Sequence, residues 1–434
     1  MEITEDEARM ATLAEACNVD GTGELTLRNM IAYLNEKKYS VRYNEMLHVI
    51  DFYGFPCKGI AHLPNTAPTI IYDELHFILK KCTQQKIADF LQVIAVENSY
   101  NPILKRIQSV SWDGVDYFGK LLEMLHLEHD YTSEMLLSMW LRQCICALHN
   151  SDAKPFSLDI VLVLQGKQGI GKTRLLEALA LDTRYFGEGV SLDPRNKDSQ
   201  IQAVSKWICE LGEISSTLKR DVDSLKAFIS SPTDEIRLPY ARSAIRYPRR
   251  TCFCGTTNES EFLADSTGNR RFAVIPLSDD VHIDYDKDIK PFNFLQLWAQ
   301  MNAVVEGHRL TNRPYSTSFR LKPQTRAELE ERNHSFEKKL KGEDEVRDVI
   351  AEQQTPEDGF TIEYRYMLTT EFIEHNTPLR RYSAQEVGKV LSKLGYEKKN
   401  VSIKGKSSRR YYLPYKYYSR KAHNVYVSDM EEEI

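Results

Sequence analysis

The residues best suited to chemistry form a short glycine-rich stretch, Gly166 to Thr173, which reads G-K-Q-G-I-G-K-T. It matches the phosphate-binding loop pattern G-x-x-x-x-G-K-[ST] at every fixed position. An apolar run, Ile160 to Leu164, precedes it and a helical pattern follows, which are the surroundings that the motif requires. The stretch therefore predicts a loop that binds nucleotide phosphates. A glycine-rich turn that fits the pattern by chance is the alternative.

Each residue type in this loop has an expected role. Gly166, Gly169 and Gly171 allow the chain to curl so that backbone N–H groups point at phosphate oxygens, and the following helix adds its positive end. Lys172 is expected to neutralise the β and γ phosphates, and the Thr173 hydroxyl to hold Mg²⁺. The expected cofactors are therefore ATP and Mg²⁺.

Hydrolysis also needs an acid at the end of a neighbouring strand and a group that senses the γ phosphate. The strand-like run from Trp207 to Leu211 contains Glu210, and Glu213 follows it. We assign Glu210 to Mg²⁺ and Glu213 to the attacking water, although the sequence also allows the opposite assignment, or two solvated acids. Asn258, after the next strand, suits the sensor because a neutral amide can bond to both phosphate and water.

Two consecutive arginines, Arg270 and Arg271, lie on a turn just before another predicted strand. One of them is expected to reach a phosphate in a neighbouring subunit and to stabilise charge in the transition state, as an arginine finger does. The alternative is that both arginines pair with local acids such as Asp265.

Several motifs together resemble the virulence-associated protein E family, and their order is similar to that of superfamily 3 helicases, the AAA+-type ATPases of phages, plasmids and small viruses. The similarity covers about Asn101 to Pro276. The motifs are Asn101-Pro102, Trp112-Asp113-Gly114, Trp207 to Ile214, Ser224 to Phe228, Leu238 to Arg242, Gly255 to Glu259 and Gly268 to Phe272.

The resemblance implies a ring-forming, hexameric, ATP-driven helicase or translocase in the replication of a prophage or mobile element. It also implies a characteristic lysine and a DNA-contacting hairpin, which match Lys226 and the segment Tyr240 to Arg246. The chain departs from the family pattern in one respect, since Glu210 and Glu213 are not an adjacent acidic pair. No primase module is visible at the N-terminus.

Two basic segments are candidates for DNA contact. Arg237 to Arg250 contains five arginines and no acid, and Lys398 to Lys421 contains nine lysines or arginines, five tyrosines and no acid. The first suits single strands and the second a duplex backbone or junction. A solvated basic loop and an aromatic wing packed on its own helices are the respective alternatives. The expected contact residues are Lys226, Arg237, Tyr240, Arg242, Arg246, Lys404, Lys406, Arg409 and Arg410.

The expected fold is α/β, with a P-loop AAA+-like parallel sheet core, an α-rich N-terminal region and a C-terminal winged-helix domain. The predicted divisions are an α-rich module (1–100), a helical lead-in (101–150), the ATPase core (151–320), a charged helix and linker (321–358), a winged-helix domain (359–421) and an acidic tail (422–434).

Hydrophobic periodicity places the elements within these divisions. The predicted helices are Glu5 to Cys17, Thr26 to Lys37, Ile71 to Lys81, Gln84 to Asn98, Tyr117 to Leu127, Thr132 to Leu148, Lys172 to Ala180, Asp198 to Val204, Asp221 to Ser230, Gln324 to Lys341, Thr369 to Asn376 and Ser383 to Leu394. The predicted strands are Tyr39 to Tyr43, Ile160 to Leu164, Trp207 to Leu211, Arg250 to Thr256, Phe272 to Ile275, Val401 to Ile403 and Arg410 to Leu413.

Composition limits the class of protein. The chain has 434 residues, 42% of them apolar, and its net charge of -5 is unevenly distributed. No stretch reaches the roughly 20 apolar residues of a membrane span, and the acidic start lacks a secretory pattern, so we expect no membrane partner and a cytoplasmic location. The eight cysteines are expected to be reduced, without a metal site.

The leading hypothesis is an oligomeric ATP-dependent DNA helicase that acts on single-stranded or forked DNA, with phage or host replication proteins as possible partners. The second is an ATP-switched DNA-binding or helicase-loading factor without unwinding activity. The third is a metabolic P-loop kinase, which would need a lid and an acceptor pocket.

Overall fold

The computed structural model describes residues 5–56, 63–193, 195–212, 222–236, 244–263, 269–309, 323–357, 360–403 and 406–418. The chain divides into two compact units. The first contains residues 1–260 and 268–333, and the second contains residues 261–267 and 334–434. Within the described residues, the helices are too short or too polar to cross a membrane.

The first unit begins with four helices and a two-stranded antiparallel sheet. Their buried residues, among them Met30, Tyr33, Ile71 and Leu91, form one apolar core. The elements are α1 (Glu5–Cys17), α2 (Leu27–Glu36), β1 (Ser40–Asn44), β2 (Val49–Tyr53), α3 (Leu63–Leu75) and α4 (Gln84–Glu97). The α-rich character is as expected, but the predicted helix Ile71 to Lys81 is wrong in extent because α3 ends at Leu75 and Lys81 has a positive φ.

The loop between α1 and α2 is closed by its own side chains. The Asn29 amide is fully buried and donates hydrogen bonds to Asp20 Oδ1 (2.8 Å) and to the Glu24 carbonyl oxygen (2.9 Å). Thr22 and Thr26 donate their hydroxyls to the same carboxylate, at 2.7 and 2.5 Å. These bonds fix the entry of the chain into α2, where the Thr26 side chain caps the first turn.

Three helices lead from this region to the central sheet: α5 (Pro102–Gln108), α6 (Tyr117–Met124) and α7 (Tyr131–Leu148). Asn101, Asp116 and Asp130 cap their first turns through side-chain oxygens. The longest of them, α7, is buried along most of its length, and its Trp140 donates to the Phe253 carbonyl oxygen at 3.0 Å. This helix forms one wall of the sheet's core.

The central sheet has five parallel strands in the order β4-β5-β8-β3-β9. Its inner strands are buried, and Val161–Gln165 and Phe272–Pro276 are almost continuously apolar, as is usual for a parallel sheet covered on both faces. Its strands are β3 (Val161–Gln165), β4 (Phe186–Val190), β5 (Ile208–Leu211), β8 (Cys252–Thr257) and β9 (Phe272–Pro276). The other elements here are α8 (Lys172–Leu179), α9 (Lys197–Val204), α10 (Val222–Ile229), the antiparallel pair β6 (Thr233–Ile236) and β7 (Ile245–Pro248), α11 (Phe294–Arg309) and α12 (Pro323–His334).

The predicted parallel sheet is therefore confirmed, and its predicted strands and helices are correct to within two residues at each end. Strand β4 was not predicted, because its sequence F-G-E-G-V contains two glycines and an exposed acid. The predicted helix Gln324 to Lys341 is too long, since α12 ends at His334, and Leu329 and Asn333 on it are buried. Cys144 and Cys146 lie on α7, and the described cysteines form no disulfide bonds with one another and are mostly buried.

The second unit has an apolar core between three helices and an antiparallel sheet in the order β10-β12-β11. The predicted helices Thr369 to Asn376 and Ser383 to Leu394 are confirmed. Helix Glu343–Gln354 and strand Phe360–Met367 were not predicted, because most residues of the helix are polar or charged and the strand buries only Met367. The elements are α13 (Glu343–Gln354), β10 (Phe360–Met367), α14 (Thr369–His375), α15 (Ala384–Lys393), β11 (Lys398–Ile403) and β12 (Lys406–Tyr418).

Candidate nucleotide site

The glycine-rich stretch forms the turn between β3 and α8, at the carboxyl end of the sheet strands. Gly169 and Gly171 have φ angles of 83° and 94°, which side chains other than glycine rarely adopt. A Cβ atom at Gly171 would also overlap the carbonyl oxygen of Ile283, whose N–H donates to the Ile170 carbonyl oxygen at 2.9 Å. The glycines are thus required by backbone conformation and by the close approach of a second segment.

Lys172 opens helix α8 and extends along the inside of the loop. Its Nζ donates to the carbonyl oxygens of Gly166 (2.7 Å) and Lys167 (2.6 Å), and only 7% of the residue is exposed. Burial lowers the pKa of this ammonium, and the nearby carboxyl of Glu210 acts in the opposite direction. A phosphate placed in the loop would offer this cation a charged acceptor in place of the neutral carbonyls.

Glu210 lies on β5, and two hydroxyls meet at its carboxylate. Thr173 and Thr256 donate to the same oxygen, Glu210 Oε1, at 3.0 and 2.7 Å. Burial raises the pKa of this carboxyl, and the two hydroxyl donors partly oppose that effect. The sequence predicted Thr173 and Glu210 as partners, and the structure brings their side chains into contact.

Thr256 was missed by the sequence reasoning. Strand β8 lies between β3 and β5, so a side chain at its carboxyl end is placed between the loop and the acid. The sequence feature that could have indicated Thr256 as a site residue is its position at the end of an apolar strand, two residues before Asn258.

Lys172 and the two threonines that contact Glu210, Thr173 and Thr256, line a cavity of about 460 Å³, a volume within the range of small-molecule sites. Asn258, the predicted sensor, lies in the same lining as Lys172, as the sequence reasoning expected. The cavity is lined by Gln168, Gly169, Gly171, Lys172, Thr173, Arg174, Thr256, Asn258, His282, Ile283, Asp284 and Tyr285. The segment His282 to Tyr285 was not predicted, because it follows β9 and reaches the loop only through the fold.

A second cavity, of about 610 Å³, adjoins the first one. Arg174 and Tyr285 line both, with the Arg174 guanidinium 6.0 Å from the centre of the Tyr285 ring. One wall consists of helix α8 and the residues just after it, and the other carries Ile289, Phe292 and Phe294. The two cavities together offer a polar end at the glycine loop and a more aromatic end beside α8.

The family model of the virulence-associated protein E-like domain matches residues 107–338, more than half of the chain. The chain belongs to the virulence-associated protein E-like domain family. Among solved structures, this family member is similar to apo structures of the NrS-1 C-terminal region, at 14% to 16% identity and TM-scores of 0.43 to 0.45. These alignments cover 88% of this chain and 98% of that chain. No curated protein matches it.

In this virulence-associated protein E-like domain the two predicted finger arginines lie away from the cavity. They directly precede Phe272, which pairs with Val161 at the amino end of β3, whereas the glycine loop follows the carboxyl end of β3. The two ends are roughly 13 Å apart along a five-residue strand. The arginines are therefore at the opposite end of the strands from the phosphate loop of the same chain.

The two arginines differ in their surroundings. Arg271 donates from Nε to Ser230 Oγ at 3.0 Å, and burial, followed by the charge of Arg270, lowers its pKa. Arg270 has an exposed side chain and lies 4.0 Å from Glu330. Asp265, the acid considered as an alternative partner, lies outside the described residues.

The first basic segment is only partly a surface. Arg249 is 3% exposed and pairs with Asp234, and Arg250 lies 3.0 Å from Glu45 of the N-terminal region. Arg246 is exposed on β7, opposite Glu235. The prediction that all five arginines form one contact surface is therefore wrong for Arg249 and Arg250, which are held by acids distant in sequence.

The second basic segment is divided in a similar way. Arg409 is exposed on β12, whereas Arg410 donates to Glu371 Oε2 at 2.8 Å and has a largely buried side chain. The prediction of Arg410 as a DNA contact therefore loses support, because a carboxylate already occupies its guanidinium. The remaining predicted positions lie outside the described residues or, for Lys226 and Lys406, have side chains outside them. They are Glu213, Lys226, Arg237, Tyr240, Arg242, Lys404 and Lys406.

Proposed function

We propose that this chain hydrolyses ATP and uses the reaction to move along or unwind DNA, as a ring oligomer in the replication of a prophage or mobile element. The observation that carries the proposal is the meeting of Thr173, Glu210 and Thr256 beside Lys172, at the carboxyl end of a parallel sheet. Membership of the virulence-associated protein E-like domain family supports it.

The side chains at the cavity fit a triphosphate with Mg²⁺. Burial raises the pKa of the Glu210 carboxyl, an effect that a cation beside it would oppose, and carboxylate and hydroxyl oxygens are the ligands that Mg²⁺ prefers. Glu210 and Thr173 would hold the ion, which would neutralise charge on the phosphate oxygens. Lys172 binds the phosphates, and Asn258 orients the γ phosphate and the attacking water. Glu213 remains the proposed second acid.

The second cavity is the proposed place of the nucleobase. It opens from the phosphate cavity at Tyr285 and Arg174 and carries aromatic side chains, which suit the flat face of a base. Its size and composition support a complete nucleotide and make a free phosphate ion a poor match.

The positions of Arg270 and Arg271 support catalysis shared between subunits. Because they lie on the opposite side of the sheet from the loop, they can meet a phosphate only in another copy of the chain. Fingers supplied in this way contribute about 10³ to 10⁵ in rate. The proposed assembly is accordingly a hexameric ring in which the loop side of one subunit faces the arginine side of the next.

Residues 359–421 are the proposed winged-helix domain. Helices α14 and α15 followed by the hairpin of β11 and β12 support this interpretation, with β10 as a third strand. The exposed Arg409 and Arg246 are the described cations that remain candidates for DNA contact.

Shared catalysis can be tested by mixing two inactive proteins. Lys172→Ala removes the loop cation but keeps the arginines, and Arg271→Ala does the reverse. If each site is completed by its neighbour, mixed rings regain DNA-stimulated ATPase activity, because some sites combine an intact loop with an intact arginine. No regain for either Arg271→Ala or Arg270→Ala would remove the finger assignment.

Helicase and loader are separated by a second measurement. The mass in solution is determined with and without ATP and DNA, and strand displacement on forked DNA is measured beside ATPase activity. We expect an ATP-dependent increase in mass and displaced strand. ATPase stimulation without displaced strand would favour the loading factor, and a monomer whose hydrolysis ignores DNA would favour the kinase.

A further inference from the structure

The sheet of the second unit has an inner face and an outer face with different compositions. Met367, Tyr411 and Leu413 are buried in the core that the sheet forms with α13, α14 and α15. Because side chains alternate along a strand, their sequence neighbours point away from that core. An outward face of an antiparallel sheet is usually polar. Here it carries a group of aromatic rings.

These rings belong to Tyr364 and Tyr366 on β10 and to Tyr412 on β12. Tyr366 pairs directly with Tyr412, and the ring centres lie 4.8 Å apart for that pair and 5.4 Å apart for Tyr364 and Tyr412. Tyr364 and Tyr412 are 45% and 48% exposed. We refer to these three residues as the tyrosine patch.

The tyrosine patch is held in place without being covered. Gln354, at the end of α13, donates its amide to the Tyr364 hydroxyl at 3.0 Å. Tyr366 and Tyr412 are directly paired across the antiparallel ladder, so their backbones cannot shift independently. The rings are therefore arranged before any partner arrives, which reduces the entropy lost on binding.

The charge around the tyrosine patch favours a polyanion. Strands β11 and β12 contain several lysines and arginines and no acid. Lys399 is exposed on the same face as Tyr412, and its ladder partner Arg410 is held by Glu371, so Lys399 is the cation of this pair that is open to a ligand. Glu363, the acid on β10, points to the other face, where it accepts hydrogen bonds from Arg365 and Tyr417.

We propose that the tyrosine patch stacks on the bases of single-stranded DNA. In a duplex the base faces are covered by their neighbours, so exposed rings on a sheet can stack only on unpaired bases. The exposed Lys399 beside the rings then meets a phosphate of the same strand. This contact differs from tracking of a duplex backbone, and it does not depend on ATP hydrolysis.

The test measures binding of the full-length chain to three fluorescent ligands by anisotropy, without nucleotide. The ligands are a thymidine 20-mer, a duplex of the same length, and a 20-mer in which abasic sites replace the bases. Tyr412→Ala is expected to weaken binding to the thymidine strand by about 5- to 100-fold, the value of one stacked base. Binding to the abasic strand should change by less than about twofold, because its charge is the same.

Matched variants separate the ring from the fold. Tyr412→Phe keeps the ring and should bind as the parent does, whereas Tyr364→Ala should repeat the loss on a different strand of the sheet. Tyr417→Ala removes a tyrosine from the opposite face of β12 and should leave the thymidine strand bound within about twofold. Circular dichroism melting of each variant checks that the second unit remains folded.

Two results would overturn the proposal. The first is thymidine-strand affinity that is unchanged in both Tyr412→Ala and Tyr364→Ala. The second is an equal loss for the thymidine, abasic and duplex ligands, since that would show a charge or folding effect without stacking. The ATPase activity of the parent does not enter either result, so failure here leaves the proposed ATPase untouched.

Discussion

Two loops in the first unit have similar backbone features, but one is filled by a side chain of the protein and the other borders a cavity. Each contains two glycines with positive φ and leads into a helix: Gly21 and Gly23 before α2, and Gly169 and Gly171 before α8. In the first loop the Asn29 amide occupies the centre and bonds to the oxygens around it. The second loop borders a cavity of about 460 Å³. The two glycine-rich turns therefore differ in what lies beside them: an amide of the chain itself in the first, and an open cavity in the second.

The first loop has the spacing of a calcium-binding helix–loop–helix. Oxygen-bearing side chains stand at positions that carry ligands in such loops, and Gly23 stands at the glycine position. Asn29 stands where those loops have a bidentate glutamate. These oxygen-bearing side chains belong to Asn18, Asp20, Thr22 and Thr26. With one carboxylate among them, the loop uses the Asn29 amide where a calcium loop uses the ion.

The largest expected effect belongs to the second loop. Lys172→Ala should lower ATP hydrolysis by roughly 10³-fold, because a buried cation that contacts transferring phosphate contributes mainly in the transition state. The control is Lys167→Ala, in the same loop, whose Nζ lies 3.0 Å from the exposed Asp279. It should change the rate by less than about threefold. Equal losses in steady-state assays of both variants would contradict the assignment.

The next effect concerns the acid of the same loop site. Glu210→Gln should lower hydrolysis by about 10²-fold while nucleotide still binds. Because burial raises the pKa of Glu210 in the protein without Mg²⁺, the parent's kcat/KM at limiting Mg²⁺ should rise with pH through that raised pKa, as the carboxylate forms. The variant should lack this limb of the pH–rate profile. A parent rate that falls with pH over the same range would contradict the role.

The first loop should bind calcium when the Asn29 amide is replaced by a carboxylate. Asn18→Asp combined with Asn29→Glu supplies the missing carboxylates, and we expect a calcium dissociation constant of about 10⁻⁴ M or lower by titration calorimetry. Asn18→Asp with Asn35→Glu adds the same charge but places one acid outside the loop, on an exposed turn of α2, and should not bind. A melting temperature of the parent that rises with calcium would refute the comparison.

The smallest effect is on stability. Asn29→Ala should lower the free energy of unfolding by about 1–3 kcal/mol, because it removes a fully buried amide together with its hydrogen bonds to Asp20 Oδ1 and the Glu24 carbonyl oxygen. Hydrogen bonds, first that from Thr26, lower the pKa of Asp20, so its contribution is present above its ordinary pKa and is lost as the pH falls below about 4. Denaturant unfolding at several pH values measures both. Unchanged stability of Asn29→Ala at neutral pH would contradict this role.

The sequence predicted what is local and missed what the fold brings together. The glycine loop, its strand and its helix follow from consecutive residues, and Glu210 follows from the end of an apolar strand. Thr256 and Tyr285 reach the site only through the order of the strands and the return of the chain after β9. No local pattern encodes either event.

The basic segments show the same limit from the opposite side. Arg250 is neutralised by Glu45, which lies far away in sequence, and Arg410 by Glu371 on another element. A run of positive residues therefore does not show which of them remain exposed. The strand Phe360–Met367 could not be predicted from alternating apolar and polar residues either, because tyrosines occupy outward positions where polar residues are usual.

All five strands of the central sheet run the same way, which gives the chain a front and a back. Acid, hydroxyl and amide groups end the strands at the front, and guanidinium groups begin one at the back. Two copies related by a twofold axis would place front against front or back against back, so the front groups of one copy would not meet the guanidinium groups of the other. Front-to-back contacts instead add one copy after another. They form a closed ring if the rotation between neighbours closes, and a helical filament if it does not. The wedge angle between neighbouring copies would then decide how many members the circle holds.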